Sequence, residues 1–143
     1  MKVKDIMTSG VETIEHDSTV SLAAKKMQIL DVGVLPVEQD GDLVGMLSGR
    51  DIITRGIAKD KDPWTTQVRE IMTHGLSCCN EEESIEAAAS LMESGQLHRL
   101  VVLDYDGDPV GMITLSDIAV KTGDEHLASE LLECVSEPAC PHR

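Results

Sequence analysis

Apolar residues recur at three- and four-residue spacing from Val20 to Leu30: Val20, Ala23, Ala24, Met27 and Leu30, with Lys25 and Lys26 on the outer side. That period predicts an amphipathic helix, and Asp17-Ser-Thr19 just before it supplies N-cap side chains. Upstream, Val3 to Met7 is a short segment with apolar punctuation that leads to a turn at Thr8-Ser-Gly10, and Val11-Glu-Thr-Ile14 reads as a short, partly buried strand. Downstream, Gly33 to Val37 is a buried strand in which Pro36 implies an edge position or a bulge. Asp40-Gly41 makes a hairpin turn, Leu43 to Leu47 the returning strand, and Asp51 to about Ala58 a second helix.

The polar stretch from Lys59 to Gln67, with Pro63 inside it, is a linker, and after it the pattern starts again. Val68-Arg-Glu-Ile-Met-Thr73 answers Val3-Lys-Asp-Ile-Met-Thr8, and Leu76 to Cys79 answers Val11 to Ile14. Ser84 caps a helix bearing Ile85, Ala88, Ala89 and Met92, and Leu100 to Leu103 is the strand before a second hairpin. The clearest duplication is Asp40–Ile52 against Asp106–Ile118, identical at eight of thirteen positions and displaced by 66 residues. The opening segments are displaced by 65, which predicts one extra residue in the second repeat near Gly95-Gln-Leu-His98. In that alignment His98-Arg99 falls on Val32-Gly33, and Arg50 on Ser116.

Each repeat therefore reads β-α-β-β-α. Such a unit is too small to stand alone, so the chain is expected to form an α/β (α+β) fold in which the two repeats pack as a pseudo-two-fold pair. The expected bounds are 1–58 and 68–122 for the repeats, 59–67 for the linker, and 123–143 for a C-terminal helix and tail. That last helix, Glu125 to Val135, follows a stop at Gly123 and carries Leu127, Leu131 and Val135 on one face.

Composition narrows the function. The 143 residues carry a formal net charge of −14 and hold no Phe, one Trp (Trp64) and one Tyr (Tyr105). A polyanion is repelled by such a surface, and stacking platforms for bases are missing, so nucleic acid is not the expected partner. No apolar run approaches the roughly 18 residues of a membrane span, and Met1-Lys-Val-Lys-Asp lacks the apolar core of a secretory signal, so the expected address is cytoplasmic. Four cysteines in a chain of this length do not make a secreted disulfide framework. No Ser/His or Cys/His catalytic arrangement and no His-Glu-x-x-His spacing is present, so an enzyme is not expected.

The duplicated elements resemble a tandem pair of CBS motifs, named after cystathionine β-synthase. The resemblance rests on the Asp/Glu-Ile-Met-Thr openings at Asp5–Thr8 and Glu70–Thr73, and on the Gly-x-x-Ser/Thr-x-x-Asp ends at Gly45–Asp51 and Gly111–Asp117, and it covers about residues 1 to 122. The Arg50-Asp-Ile-Ile-Thr-Arg-Gly56 run and Asp62-Pro63 further resemble stand-alone CBS-pair proteins, some linked to hypoxia or starvation responses. What the resemblance implies is a regulatory, ligand-sensing module with no required cofactor. Its ligand would be an adenosine-containing molecule (AMP, ADP, ATP or S-adenosylmethionine) held in clefts between the motifs. The module would form a homodimer and act on an effector protein that the sequence does not name.

Carried over position by position, Asp51 and Asp117 would hold the ribose diol, with Ser48 and Thr114 assisting near the ribose or phosphate. Thr13, Ile14, Val34 and Leu35 in the first repeat, and Cys78, Cys79, Leu100 and Val101 in the second, would sandwich the adenine. The chemistry is sound residue by residue: a carboxylate accepts two hydrogen bonds from a cis-diol, and Arg50, His98 and Arg99 offer charge-assisted contacts to phosphate. Ser48-x-x-Asp51 and Thr114-x-x-Asp117 are equally capping boxes, and His98 and Arg99 equally suit a solvated surface. The rival reading is thus a protein-interaction module that keeps the fold and binds no ligand. Cys134, Cys140 and His142 could in principle supply zinc ligands, but their spacing matches no common knuckle, and Cys78-Cys79 fit small apolar residues on a strand. The apolar faces of Val20–Leu30 and Ile85–Met92 suit either a dimer contact or the core.

Overall fold

A computed structural model of the chain describes residues 1–135. In chain order the elements are α1 (Val3–Ile6), β1 (Thr8–Ser9), β2 (Ile14–Glu15), α2 (Val20–Leu30), β3 (Val34–Gln39), β4 (Asp42–Ser48) and α3 (Gly49–Asp51), which runs on as a π-helical turn (Ile52–Gly56) and a 3₁₀ turn (Ile57–Lys59). After a 3₁₀ turn at Val68–Glu70 come β5 (Thr73–His74), β6 (Cys78–Asn80), α4 (Ile85–Gly95), β7 (Arg99–Leu103), β8 (Pro109–Thr114), α5 (Leu115–Lys121) and α6 (Glu125–Val135). Two compact units result, one from Glu12–Leu76 and the other from Met1–Val11 together with the chain from Ser77 onward.

The first unit is a four-stranded sheet in the order β2-β3-β4-β5. β2 runs parallel to β3, and the other pairings are antiparallel. Helix α2 starts where Thr19 Oγ1 accepts the Leu22 N–H, and it ends at Asp31 in the left-handed region. Its inward residues Val20, Ala23 and Met27 pack on Leu35, Val37 and Leu47 of the sheet, with Val68, Ile71 and Met72 closing the core. The linker folds onto this unit: the Thr66 and Pro63 carbonyls accept the Val20 and Ser21 N–H groups that the first turn of a helix leaves without partners.

The second unit repeats the plan with the order β1-β8-β7-β6. Ser84 Oγ accepts the Ala87 N–H at the start of α4. Ile85, Ala88, Ala89 and Met92 pack on Leu100, Val102 and Ile113, and Val3 and Ile6 enter the same core.

The opening segments thus change places. Val3–Ser9, at the start of the first repeat, belongs to the second unit, and Val68–His74 belongs to the first. Two glycines make this possible. A Cβ on Gly45 would lie 2.3 Å from the Thr73 carbonyl oxygen, and one on Gly111 would lie 2.6 Å from that of Thr8. Only glycine lets these backbones approach so closely.

Several expectations need correction. Thr8–Ser9 is a strand rather than a turn, because it pairs with Gly111 and Met112 of β8. Pro36 lies in β3, which has neighbours on both sides; β2 pairs only with Val37 and Glu38, and the bulge falls between those two residues. The stretch after Ser48 is not one α-helix but passes through a π turn, in which the Ile57 N–H reaches the Ile52 and Ile53 carbonyls. The extra residue of the second repeat is not near Gly95. Val34 pairs with Ser48 and Arg99 with Thr114, so the strands are still displaced by 65 at this point, and the added residue sits in the Asp104–Asp108 hairpin loop. His98-Arg99 therefore corresponds to Gly33-Val34, not to Val32-Gly33. Of the two uses left open for the apolar faces of α2 and α4, the core is found for Val20, Ala23, Met27, Ile85, Ala88, Ala89 and Met92, all buried, whereas Ala24 is exposed.

Candidate functional site

Each sheet hands over to a helix through the same four-residue box. In the first unit β4 ends at Ser48, whose Oγ accepts the Asp51 N–H at 3.0 Å, while Asp51 Oδ2 accepts the Ser48 N–H at 3.0 Å. In the second unit Thr114 Oγ1 accepts the Asp117 N–H at 3.1 Å, and Asp117 Oδ2 accepts the Thr114 N–H at 3.0 Å. Both are complete capping boxes.

The second oxygen of each carboxylate faces a cation one turn further on. Asp117 Oδ1 lies 3.2 Å from the Lys121 ammonium, which also donates to the Ile6 carbonyl at 3.0 Å. Asp51 Oδ1 lies 3.9 Å from Arg55 Nε, and the same guanidinium donates to the Met72 carbonyl at 3.1 Å. The cations thereby tie each carboxylate to the exchanged opening segment of its own unit. Each carboxylate oxygen keeps lone pairs to spare, so the boxes can accept further hydroxyl donors without losing the cap.

The strand residues sort by face. Ile14, Leu35, Cys79 and Leu100 sit in the cores, so only their backbone is open to a ligand. Thr13, Val34 and Cys78 are half-buried and outside those cores, and Val101 is buried outside them too. The corrected register sets Pro36 opposite Met46 as Val101 is set opposite Met112, which makes Pro36 the first-repeat counterpart of Val101. Pro36 was not expected among the site residues, because a one-residue slip within an apolar run leaves hydropathy unchanged. The Thr13 carbonyl accepts a hydrogen bond from Lys26.

The arginines are placed differently in the two units. Arg50 is exposed two residues past Ser48, where the second repeat has Ser116. Arg99 is exposed and directly across the strand pair from Thr114, where the first repeat has Val34. His98 is exposed, and its carbonyl accepts the Leu115 N–H as that of Gly33 accepts the Gly49 N–H. The box of the first unit thus has Arg50 at its helix start as well as Arg55 one turn on, and that of the second has Arg99 on the neighbouring strand.

Burial pushes the Cys78 thiol up, and it pushes that of Cys79, aided by Glu83, to about 12. Both are neutral thiols near pH 7 and poor nucleophiles in that form. Ligand atoms of Glu15, His16 and Asp17 lie within 4.8 Å of one another, as do those of Asp104, Asp106 and Asp108. In the second group Asp104 accepts the Asp106 and Asp108 N–H groups, the usual work of an Asp in a turn. Cys140 and His142 lie outside the described residues, and Cys134 is described only as part of the α6 backbone. Among the described residues no helix is long and apolar enough to cross a membrane.

A protein-family profile described as "CBS domain" matches residues 3–57 and 68–121. The CBS domain-containing protein YhcV of Bacillus subtilis is 37% identical over 134 residues, which is 94% of each chain. Among solved structures, the CBS domain protein TA0289 of Thermoplasma acidophilum is 29% identical with a TM-score of 0.81, and the match covers 96% of this chain and 77% of that one. CBSX2, solved in complex with AMP, is 26% identical with a TM-score of 0.66 over 82% of this chain and 93% of its own.

Proposed function

The chain belongs to the CBS-domain family, and on that footing we propose that it is a non-catalytic regulatory module whose ligand is an adenine nucleotide (AMP, ADP or ATP) or S-adenosylmethionine. The observation that carries this reading is the duplicated box: Ser48 with Asp51, and Thr114 with Asp117, each fixing a carboxylate at a helix start, with exposed Arg50 two residues past Ser48 and exposed Arg99 across the strand pair from Thr114. The AMP bound to CBSX2 supports that ligand class.

In this reading the carboxylates of Asp51 and Asp117 accept the two hydroxyls of a ribose. Arg50 and Arg99 pair with phosphate, for which a guanidinium is well shaped. Thr13 and Val34 in the first unit, and Cys78 in the second, offer surface to the base, while Pro36 and Val101 are buried. Two copies of the chain associate, and an effector protein reads the ligand-bound state. That last step requires the effector to bind the two states with different affinity.

Calorimetric titration of the folded, nucleotide-free protein with AMP, ADP, ATP and S-adenosylmethionine tests the reading. Saturable binding of one or more supports it. Silence across the four favours the second reading, a protein-interaction module, for which the specific observation is that both boxes are already satisfied as helix caps.

A further inference from the structure

The turn between β2 and α2 and its counterpart between β6 and α4 share one backbone and differ in charge. In the first unit the Ser18 N–H donates to the Glu15 carbonyl and the His16 N–H to that of Glu38, while the Val68 and Arg69 N–H groups donate to the Ser18 and His16 carbonyls. The second unit makes the same four bonds with every residue displaced by 65: Glu83 to Asn80, Glu81 to Leu103, Val3 to Glu83 and Lys4 to Glu81.

On this frame the second unit neutralises its own acid. Lys2 and Lys4 close on Glu82 at 2.6 and 2.7 Å, and Asn80 Oδ1 accepts the Glu82 N–H. In the first unit Asp17 stands where Glu82 does, and Gln67 and Arg69 stand where Lys2 and Lys4 do. Among the described residues Glu15, Asp17 and the exposed Arg69 form no ion pair. A ring nitrogen of His16 lies within 4.8 Å of carboxylate oxygens of Glu15 and Asp17, which lie as close to each other. His16 Nδ1 and Gln67 Oε1 are both closed off from solvent and have no hydrogen-bond partner. Orphaned polar atoms of this kind are uncommon in folded proteins, and a bound ion is one of their usual causes.

We propose that Glu15, His16 and Asp17 bind a divalent transition-metal ion of the zinc type. The ion gives the first unit the positive charge that Lys2 and Lys4 give the second. An imidazole beside two carboxylates suits zinc better than magnesium or calcium, which take oxygen ligands alone. Ligand atoms this close to one another can all reach one ion at the usual zinc distances of about 2.0–2.2 Å, and three protein ligands leave a position for water. Gln67, bridged to Thr19 beside the turn, brings no competing charge. The site lies wholly within the first unit and does not depend on the ribose reading of the Ser48 and Thr114 boxes.

Calorimetric titration of the full, metal-free chain with zinc chloride tests the site, on wild type, His16→Ala and Gln67→Lys. The first variant removes a ligand, and the second restores the lysine that the other unit has at this position. Wild type is expected to bind zinc saturably, and each variant about tenfold more weakly or worse. Thermal melts without metal confirm that both variants are folded. Melts with zinc give a second readout, since an ion that binds only the folded chain raises the melting temperature of wild type and not of the variants. No saturable binding to wild type overturns the proposal. So does wild-type affinity in either variant, which would place the zinc on the cysteines or leave it an adventitious ion only.

Discussion

Asp117 receives the Thr114 N–H on one carboxylate oxygen and the Lys121 ammonium, at 3.2 Å, on the other. One side chain therefore starts helix α5 and anchors the opening segment of the chain, since Lys121 also bonds the Ile6 carbonyl. Asp117→Ala removes the return half of the capping box and leaves Lys121 without its acid. The expected cost is about 1–2 kcal/mol of unfolding free energy, and Asp117→Asn, which can still accept from Thr114, loses less. Urea denaturation of the two variants against wild type measures both.

Gly45 and Gly111 set the second prediction. Alanine at either position drives a Cβ into a carbonyl oxygen of the paired opening segment, at 2.3 Å from Thr73 and 2.6 Å from Thr8. Backbone has to move, so each variant should lose about 2 kcal/mol or more. Gly33→Ala is the control: nothing lies within 4 Å of the added Cβ, and the change should be close to neutral. Thermal melts of the three variants separate the cases.

The amino-terminal clip responds to acid. Lys2 and Lys4 lie 2.6 and 2.7 Å from the two oxygens of Glu82, and they lower its carboxyl from 4.5 to about 2. A carboxyl lowered by folding stabilises the fold above its unfolded value, and that contribution is lost as pH falls from about 4.5 toward about 2. Glu82→Gln should therefore flatten the acid limb of a stability-versus-pH curve in this window. The pair is exposed, so the difference should shrink at high salt.

The legible part of the fold was the local part. The period of apolar residues placed α2 from Val20 to Leu30 and α6 from Glu125 to Val135, and Thr19, Ser84 and Gly123 marked helix ends, all as found. The exchange of opening segments left no such mark, because β1 and β5 are two residues long and get their partners from distant chain. The register of β3 against β7 was hidden for a related reason. Leu35-Pro36-Val37 and Leu100-Val101-Val102 are buried at every position, so a slip of one residue changes no hydropathy. The boxes at Ser48 and Thr114 stood out by repetition. That Arg99 belongs beside Thr114, and Pro36 on the same face as Val34, required the pairing itself.

Cysteine reactivity checks the interior of the second unit. Cys79 is 4% exposed with its thiol held near 12, and Cys78 is half-buried with its thiol raised by burial. Peptide-resolved labelling of the native protein near pH 8 should leave Cys79 unmodified and modify Cys78 slowly. Labelling of Cys79 at the unfolded rate would mean that β6 opens readily.

The central claim is that the two boxes are ribose sites as well as helix caps. Its most direct test is nucleotide binding to wild type, Asp51→Asn, Asp117→Asn and the double variant, each confirmed as folded, alongside the 2′-deoxy form of whichever nucleotide binds wild type. Saturable binding to wild type is the expected result. One or both single variants should bind about tenfold more weakly, the double variant should not bind measurably, and the 2′-deoxy form should be disfavoured, since it leaves the carboxylate without its second donor. Equal affinity across all four proteins would contradict it and leave Asp51 and Asp117 as caps alone.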